Sequence, residues 1–246
     1  MSSGHHPLPG NPAPGEAELW RKIRQGDDPY TIFMYVSVHD LFRRLASWWS
    51  GSVLRQFDEF IDSKLPGVCL IKWRSFADPT HDMATELAAY TIARQPWWLH
   101  RRKFSPVRVI RERPHNNDRT WDAWTSLVRE SIAVLSPLTH GKINVKFDAS
   151  IDQCVGAIEA AGNSVVHAGV HTNPFRHHFL TTRPILFVSG IDHDWNQRDL
   201  EQRAKVQVFI SALIRLFRDR AKLIFIVRPD YNPYDPEMHK LRTFVL

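Results

Sequence analysis

PILFVSGIDHDWNQRDLEQRAKVQVFISALIRLFRDRAKLIFIV, residues 184–227, decides the fold. PILFVSG and KLIFIV are short, continuously apolar and rich in β-branched and aromatic residues, as strands buried on both faces are. Between them, RDLEQRAKVQVFISALIRLFRDR (198–220) predicts a long helix, with Leu200, Ala204, Val208, Ile210, Leu213, Ile214 and Phe217 toward a core. Strand, helix and strand in this order form a right-handed βαβ crossover in a parallel sheet. The expected class is α/β, with helices on both faces of a mainly parallel sheet, a three-layer α/β/α arrangement.

Outward from this unit, TIFMYVSV (31–38), VCLIKW (68–73), PVRVIRER (106–113) and INVKFD (143–148) read as strands, and NSVVHAGV (163–170) as a further short one. HDLFRRLASWW (39–49) has helical spacing. SVLRQFDEFIDSKLPG (52–67) carries Val53, Leu54, Phe57, Phe60, Ile61 and Leu65 on one helical stripe, stopped by Pro66-Gly67. Helices are also expected over 82–94, over TWDAWTSLVRESIAVLSPL (120–138) and over IDQCVGAIEAAG (151–162). Residues 1–16 hold four Pro and three Gly and little to bury, so they read as a disordered tail before a single α/β domain over 17–246.

Composition bounds the function loosely. Of 246 residues, 43% are hydrophobic and 24% charged, which is globular. A formal charge of +6 makes the surface mildly basic and favours acidic partners such as nucleic acid, anionic glycans or lipid headgroups. Cys69 and Cys154 allow one disulfide or two buried thiols. No apolar run approaches the ~20 residues that span a bilayer, and the N-terminus lacks a signal-peptide pattern. The residues alone therefore point to a soluble intracellular chain without a transmembrane segment, or to a piece of something longer.

The two loops leaving the apolar strands, GIDHDW (190–195) and RPDYNPYDPEMH (228–239), share the carboxyl edge of the sheet, where open parallel sheets take ligands. Asp192, His193, Asp194, Asp230, Asn232 and Asp235 are thus expected at one rim. An imidazole between two carboxylates is oriented at one ring nitrogen and suits a general base. Asp194 or Asn196 also fits a helix-capping role. WWLHRRKF (97–104) and the following strand bring Arg101, Arg102, Lys103, Arg108, Arg111 and Arg113 together with aromatic residues. Such a pattern can bind anions, stacking bases or sugars beside neutralised phosphates. It equally describes core tryptophans under arginine stems. His167, His171, His177 and His178 are read as loop histidines rather than a zinc site, because Gly169 and Pro174 break any helix that would align them. No phosphate loop or dinucleotide fingerprint is present, and neither a metal nor a cofactor is expected.

Two segments resemble the NXPE and PC-esterase group of SGNH-type hydrolases. Ser50-Gly51-Ser52-Val53-Leu54-Arg55-Gln56-Phe57 is similar to the family's G-D-S-x-x-R-Q block with its following aromatic residue. VSGIDHDW, with the Arg-bearing helix and RPDYN after it, is similar to a later block. The resemblance implies a three-layer α/β/α fold and an esterase or acyltransferase acting on O-acyl esters of a glycan or similar small molecule, in a lumenal or secreted setting. It implies Ser52 as nucleophile at a helix N-terminus. Gly190, Asn232 and Arg55 would serve the oxyanion or substrate, and His239 or His193, with Asp192 and Asp194, would supply the base. Gly51 stands where the family has Asp, Ser50 where it has Gly, and the late Asp-x-x-His block is absent. A degenerate, non-catalytic relative is therefore an equal part of the expectation. The alternative from another class is a basic accessory subunit contacting RNA, glycan or a protein complex.

Overall fold

The structure, a computed structural model, describes residues 29, 38–63, 65–73, 80–95, 107–111, 123–135, 143, 145–146, 150–161, 170–172, 179–181, 184–192, 200–231 and 241–245. Along the chain these form α1 (Val38–Trp48), α2 (Gly51–Asp62), β1 (Gly67–Lys72), α3 (Thr80–Ala93), β2 (Val107–Ile110), α4 (Ala123–Leu135) and α5 (Ile151–Ala160). There follow β3 (Val170–Thr172), β4 (Phe179–Thr181), β5 (Ile185–Ser189), α6 (Leu200–Phe217), β6 (Lys222–Val227) and β7 (Arg242–Val245).

Five strands make one sheet in the order β2-β5-β6-β1-β7, and every neighbouring pair is parallel. β5 and β6 are buried at every position, as their apolar runs Ile185–Val188 and Leu223–Val227 require, with Ser189 and Lys222 buried at their ends. Successive side chains alternate between the faces, so each strand feeds two cores. Leu186, Val188, Leu223, Phe225 and Val227 join Leu127, Ile158, Phe209 and Leu213 from α4, α5 and α6. Phe187, Ile224, Ile226, Cys69 and Ile71 join Leu45, Phe57 and Leu87 from α1, α2 and α3. The sheet is therefore the middle of three layers. The two cysteines are free thiols buried on opposite faces of it, and the disulfide option falls.

Local chemistry sets the helix ends. Ser50 caps α2, its hydroxyl accepting the Val53 N–H at 3.4 Å. Ser150 and Gln153 form a reciprocal capping box at α5: Ser150 Oγ accepts the Gln153 N–H at 3.3 Å, and Gln153 Oε1 accepts the Ser150 N–H at 2.9 Å. The C-terminal end of α2 is held by Lys222, 4% exposed, which donates to the Phe60 carbonyl and to Ser63 Oγ at 2.8 Å. Trp49, between α1 and α2, meets Phe57 edge-to-face with ring centroids 5.3 Å apart.

Several sequence expectations are corrected. Val38 opens α1 rather than closing a strand, and residues 31–37 lie outside the described residues. Ile143, Val145 and Lys146 belong to no strand, although Ile143 is fully buried. Leu65 follows the end of α2 and is 72% exposed. On α6, Leu200, Ala204 and Val208 face outward, while Val206, Phe209, Ile210, Leu213 and Phe217 form the inner face. β7 was not anticipated; it adds to β1, pairing Cys69 with Arg242 through Lys72 with Val245.

Candidate functional site

The sheet connections define where a ligand can enter. The β1-to-β2 crossover carries α3 on one face, and the β5-to-β6 crossover carries α6 on the other. In open parallel sheets, connections leaving on opposite faces mark the carboxyl edge as the place where a ligand binds. The edge at β6 is stitched to β1 by the Trp73 N–H, which donates to the Val227 carbonyl at 2.9 Å.

Buried polar side chains gather at this edge. Eight described polar or charged residues are buried: Thr85, Glu86, Thr91, Arg111, Ser131, Ser189, Asp192 and Lys222. Thr91 and Ser131 bond back to carbonyls of their own helices, Leu87 at 2.7 Å and Leu127 at 2.8 Å, and Lys222 serves the opposite, amino edge. The other five belong to the carboxyl side. Ile110 pairs with Val188, so Arg111 and Ser189 occupy the next rung of β2 and β5. Arg111, 8% exposed, donates to Thr85 Oγ1 at 2.6 Å, drawing α3 onto that rung, and Glu86 follows Thr85 in the same helix. Ser189 is fully buried, and its hydroxyl has no hydrogen-bond partner among the described residues. A buried hydroxyl in that state costs about 1–3 kcal/mol.

The chain then turns sharply. Gly190 has φ 87°, a left-handed conformation that only glycine adopts without strain. The turn drives Asp192 inward, 3% exposed, where its Oδ2 accepts the Arg228 N–H at 2.5 Å. Burial pushes the Asp192 carboxyl above its usual value of 3.8. Backbone N–H groups of Arg228 and of Asp192 itself and the Arg228 charge oppose that rise, and Asp230 adds to it. Tyr231, 1% exposed, closes the β6 side.

The residues expected from sequence distribute unevenly. Asp192 and Gly190 sit at this edge. Ser52 lies in the first turn of α2, exposed, its hydroxyl hydrogen-bonded to Ser50 Oγ at 2.9 Å. Helix α1 precedes it, with only Trp49 and Ser50 between, so no strand delivers the serine to the carboxyl edge. Arg55 is exposed on α2. Of the anion-binding candidates, Arg108 is half-buried and donates to the Val107 carbonyl at 2.8 Å, and Arg111 is turned inward to Thr85. His171 lies in β3, opposite Leu180 of β4. His193, Asp194, Asn232, Asp235, His239, Arg101, Arg102, Lys103 and Arg113 lie outside the described residues.

Thr85, Glu86 and Ser189 were missed by sequence reasoning. Ser189 left one signal, a lone hydroxyl closing an otherwise apolar strand before glycine. Among the described residues, no group of three His, Cys, Asp or Glu is arranged to hold a metal ion, and no helix is long and apolar enough to cross a membrane. No family model matches the chain, and no curated protein or solved structure matches it either.

Proposed function

We propose that the chain is a non-hydrolytic binding protein that takes a small, hydroxyl- or carbonyl-bearing ligand of glycan type at the carboxyl edge of its sheet. In terms of the resemblance, it is a degenerate relative of the PC-esterase group that keeps the layered sheet and has lost the serine chemistry. The observation carrying this reading is the buried Ser189 hydroxyl, which offers a free hydrogen-bonding group on the rung shared with Arg111, beside the Asp192 loop. Polar groups left unpaired in a dry site favour a ligand that completes them. The engagement of the Ser52 hydroxyl with the Ser50 cap, at the head of a helix fed by another helix, supports the non-hydrolytic half of the reading.

The test has two arms. Hydrolysis of p-nitrophenyl acetate is expected at the same background rate in wild type and Ser52→Ala; a rate lost only in the variant establishes a serine esterase and overturns the proposal. Thermal melting with xylo-oligosaccharide and with N-acetylglucosamine is expected to show a ligand-dependent upward shift in wild type, abolished in Ser189→Ala. A shift that persists in Ser189→Ala places the ligand elsewhere.

A further inference from the structure

The groove between α5 and α6 lies on the outer surface of one helical layer and has a volume of about 310 Å³. Its apolar surface comes from Val155 and Gly156 of α5 and from Ala204 and Val208 of α6. Gly156 leaves this surface open, since a Cβ built there meets nothing within 4 Å. Val208 is 45% exposed, and Leu200, two helical turns earlier on the outward face of α6, is 80% exposed. Leu200, Ala204 and Val208 recur on the exposed side of α6, an apolar stripe positioned to contact a partner.

Charge narrows the kind of partner. Among the described residues lining the groove, Asp152, Glu159 and Glu201 stand against the single cation Lys205, on a chain whose formal charge is +6. Lys205 pairs with Glu201 at 2.9 Å, and Glu159 pairs with Arg215 outside the groove. Both carboxylates remain accessible, with side chains 78% and 40% exposed, and exposed pairs of this kind exchange partners readily. Asp152 makes no ion pair among the described residues.

From this groove we infer a docking site for a cationic amphipathic segment of another protein, its aliphatic anchor seated on Gly156, Ala204 and Val208 and its Lys or Arg residues on Asp152, Glu159 and Glu201. Docking of an amphipathic helix or turn into a groove between helices uses an apolar anchor for affinity and flanking charge for orientation. The site is independent of the carboxyl edge, because it uses only the solvent side of α5 and α6.

The full chain is titrated with a fluorescein-labelled Leu/Lys amphipathic peptide and with its Leu/Glu counterpart, read by anisotropy. Wild type is expected to bind the cationic peptide selectively and more weakly as salt rises, against the repulsion of its own net charge. Ala204→Arg fills the exposed groove with a bulky cation and is expected to weaken binding about tenfold or more. Asp152→Lys with Glu201→Lys is expected to reverse the preference between the peptides. Helicity of each variant is checked by circular dichroism. Equal binding of both peptides, or binding unchanged by Ala204→Arg, overturns the proposal. Sedimentation showing a wild-type dimer that Ala204→Arg makes monomeric also overturns it, assigning the groove to a second copy of the chain.

Discussion

The Asp192 carboxylate accepts the backbone N–H of Arg228 at 2.5 Å, tying the loop that leaves β5 to the loop that leaves β6. A backbone donor imposes no side-chain identity on its partner, so the tether depends on Asp192 alone. Asp192→Ala leaves the part-buried Arg228 N–H without this acceptor and is expected to lower stability by about 1 kcal/mol. Urea unfolding of the two proteins measures this, and an unchanged midpoint removes the tether from the account.

The same carboxyl makes stability depend on pH. Burial places its folded pKa above 3.8. Between 3.8 and the folded value, the native state holds more protons than the unfolded chain, so the contribution of this group to stability falls as pH rises, then levels. Asp192→Asn keeps an oxygen for the Arg228 N–H and cannot ionise. The stability of the variant relative to wild type is therefore expected to climb as pH rises through that window and to plateau above it. A difference that stays flat with pH means burial does not raise this carboxyl.

Two adjacent residues of α6 test which way the helix faces. Phe209 is fully buried and Val208 is 45% exposed. Phe209→Ala is expected to cost about 3–5 kcal/mol, and Val208→Ala to stay within about 0.5 kcal/mol. Chemical denaturation of both variants decides, and comparable losses would contradict the burial pattern.

Between α2 and α3, Asp58 meets both Tyr90 and Arg94. The Tyr90 hydroxyl donates to its oxygens at 3.1 and 3.2 Å, and Arg94 forms ion pairs with Asp58 and, at 2.5 Å, with Asp62. Burial raises the Asp58 carboxyl above 3.8, and the Arg94 charge is the largest effect opposing it. Arg94→Ala is expected to move the Asp58 titration further upward, followed by carboxyl carbon NMR shifts. Movement in the other direction would mean that solvent entering the gap outweighs the lost cation.

The βαβ unit was legible because β5 and β6 carry no polar residue inside their apolar runs until Ser189, and only a doubly covered strand tolerates that. The facing of α6 was not. Leu200, Ala204 and Val208 make an apolar stripe of their own, and a helix with apolar residues on two sides gives no single answer to a period of 3.6. INVKFD reads as a strand, yet Ile143, Val145 and Lys146 belong to none, and burial of Ile143 alone does not require one. RTFV was too short to stand out before its pairing with β1 was known. At the site, the position of Asp192 followed from the strand before it. Its bond to Arg228 did not, because contacts between loops arise only when the sheet closes. Thr85, Glu86 and Arg111 look like ordinary surface residues until α3 is laid against β2.

The strand order sets a timetable for synthesis. Gly67 of β1 pairs with Lys222 of β6, and Cys69 with Arg242 of β7, so both neighbours of β1 are made long after β1 itself. Until residue 227 leaves the ribosome, β1 has two bare edges, and the edge that takes β7 stays open until residue 245 follows. Pairing this distant in sequence is slow to form and leaves edges open to wrong partners. A nascent chain stalled before β6 should be held by chaperones and cut readily by protease, while release of the β6 segment brings protection to β1 and β6 together and β7 then closes the remaining edge.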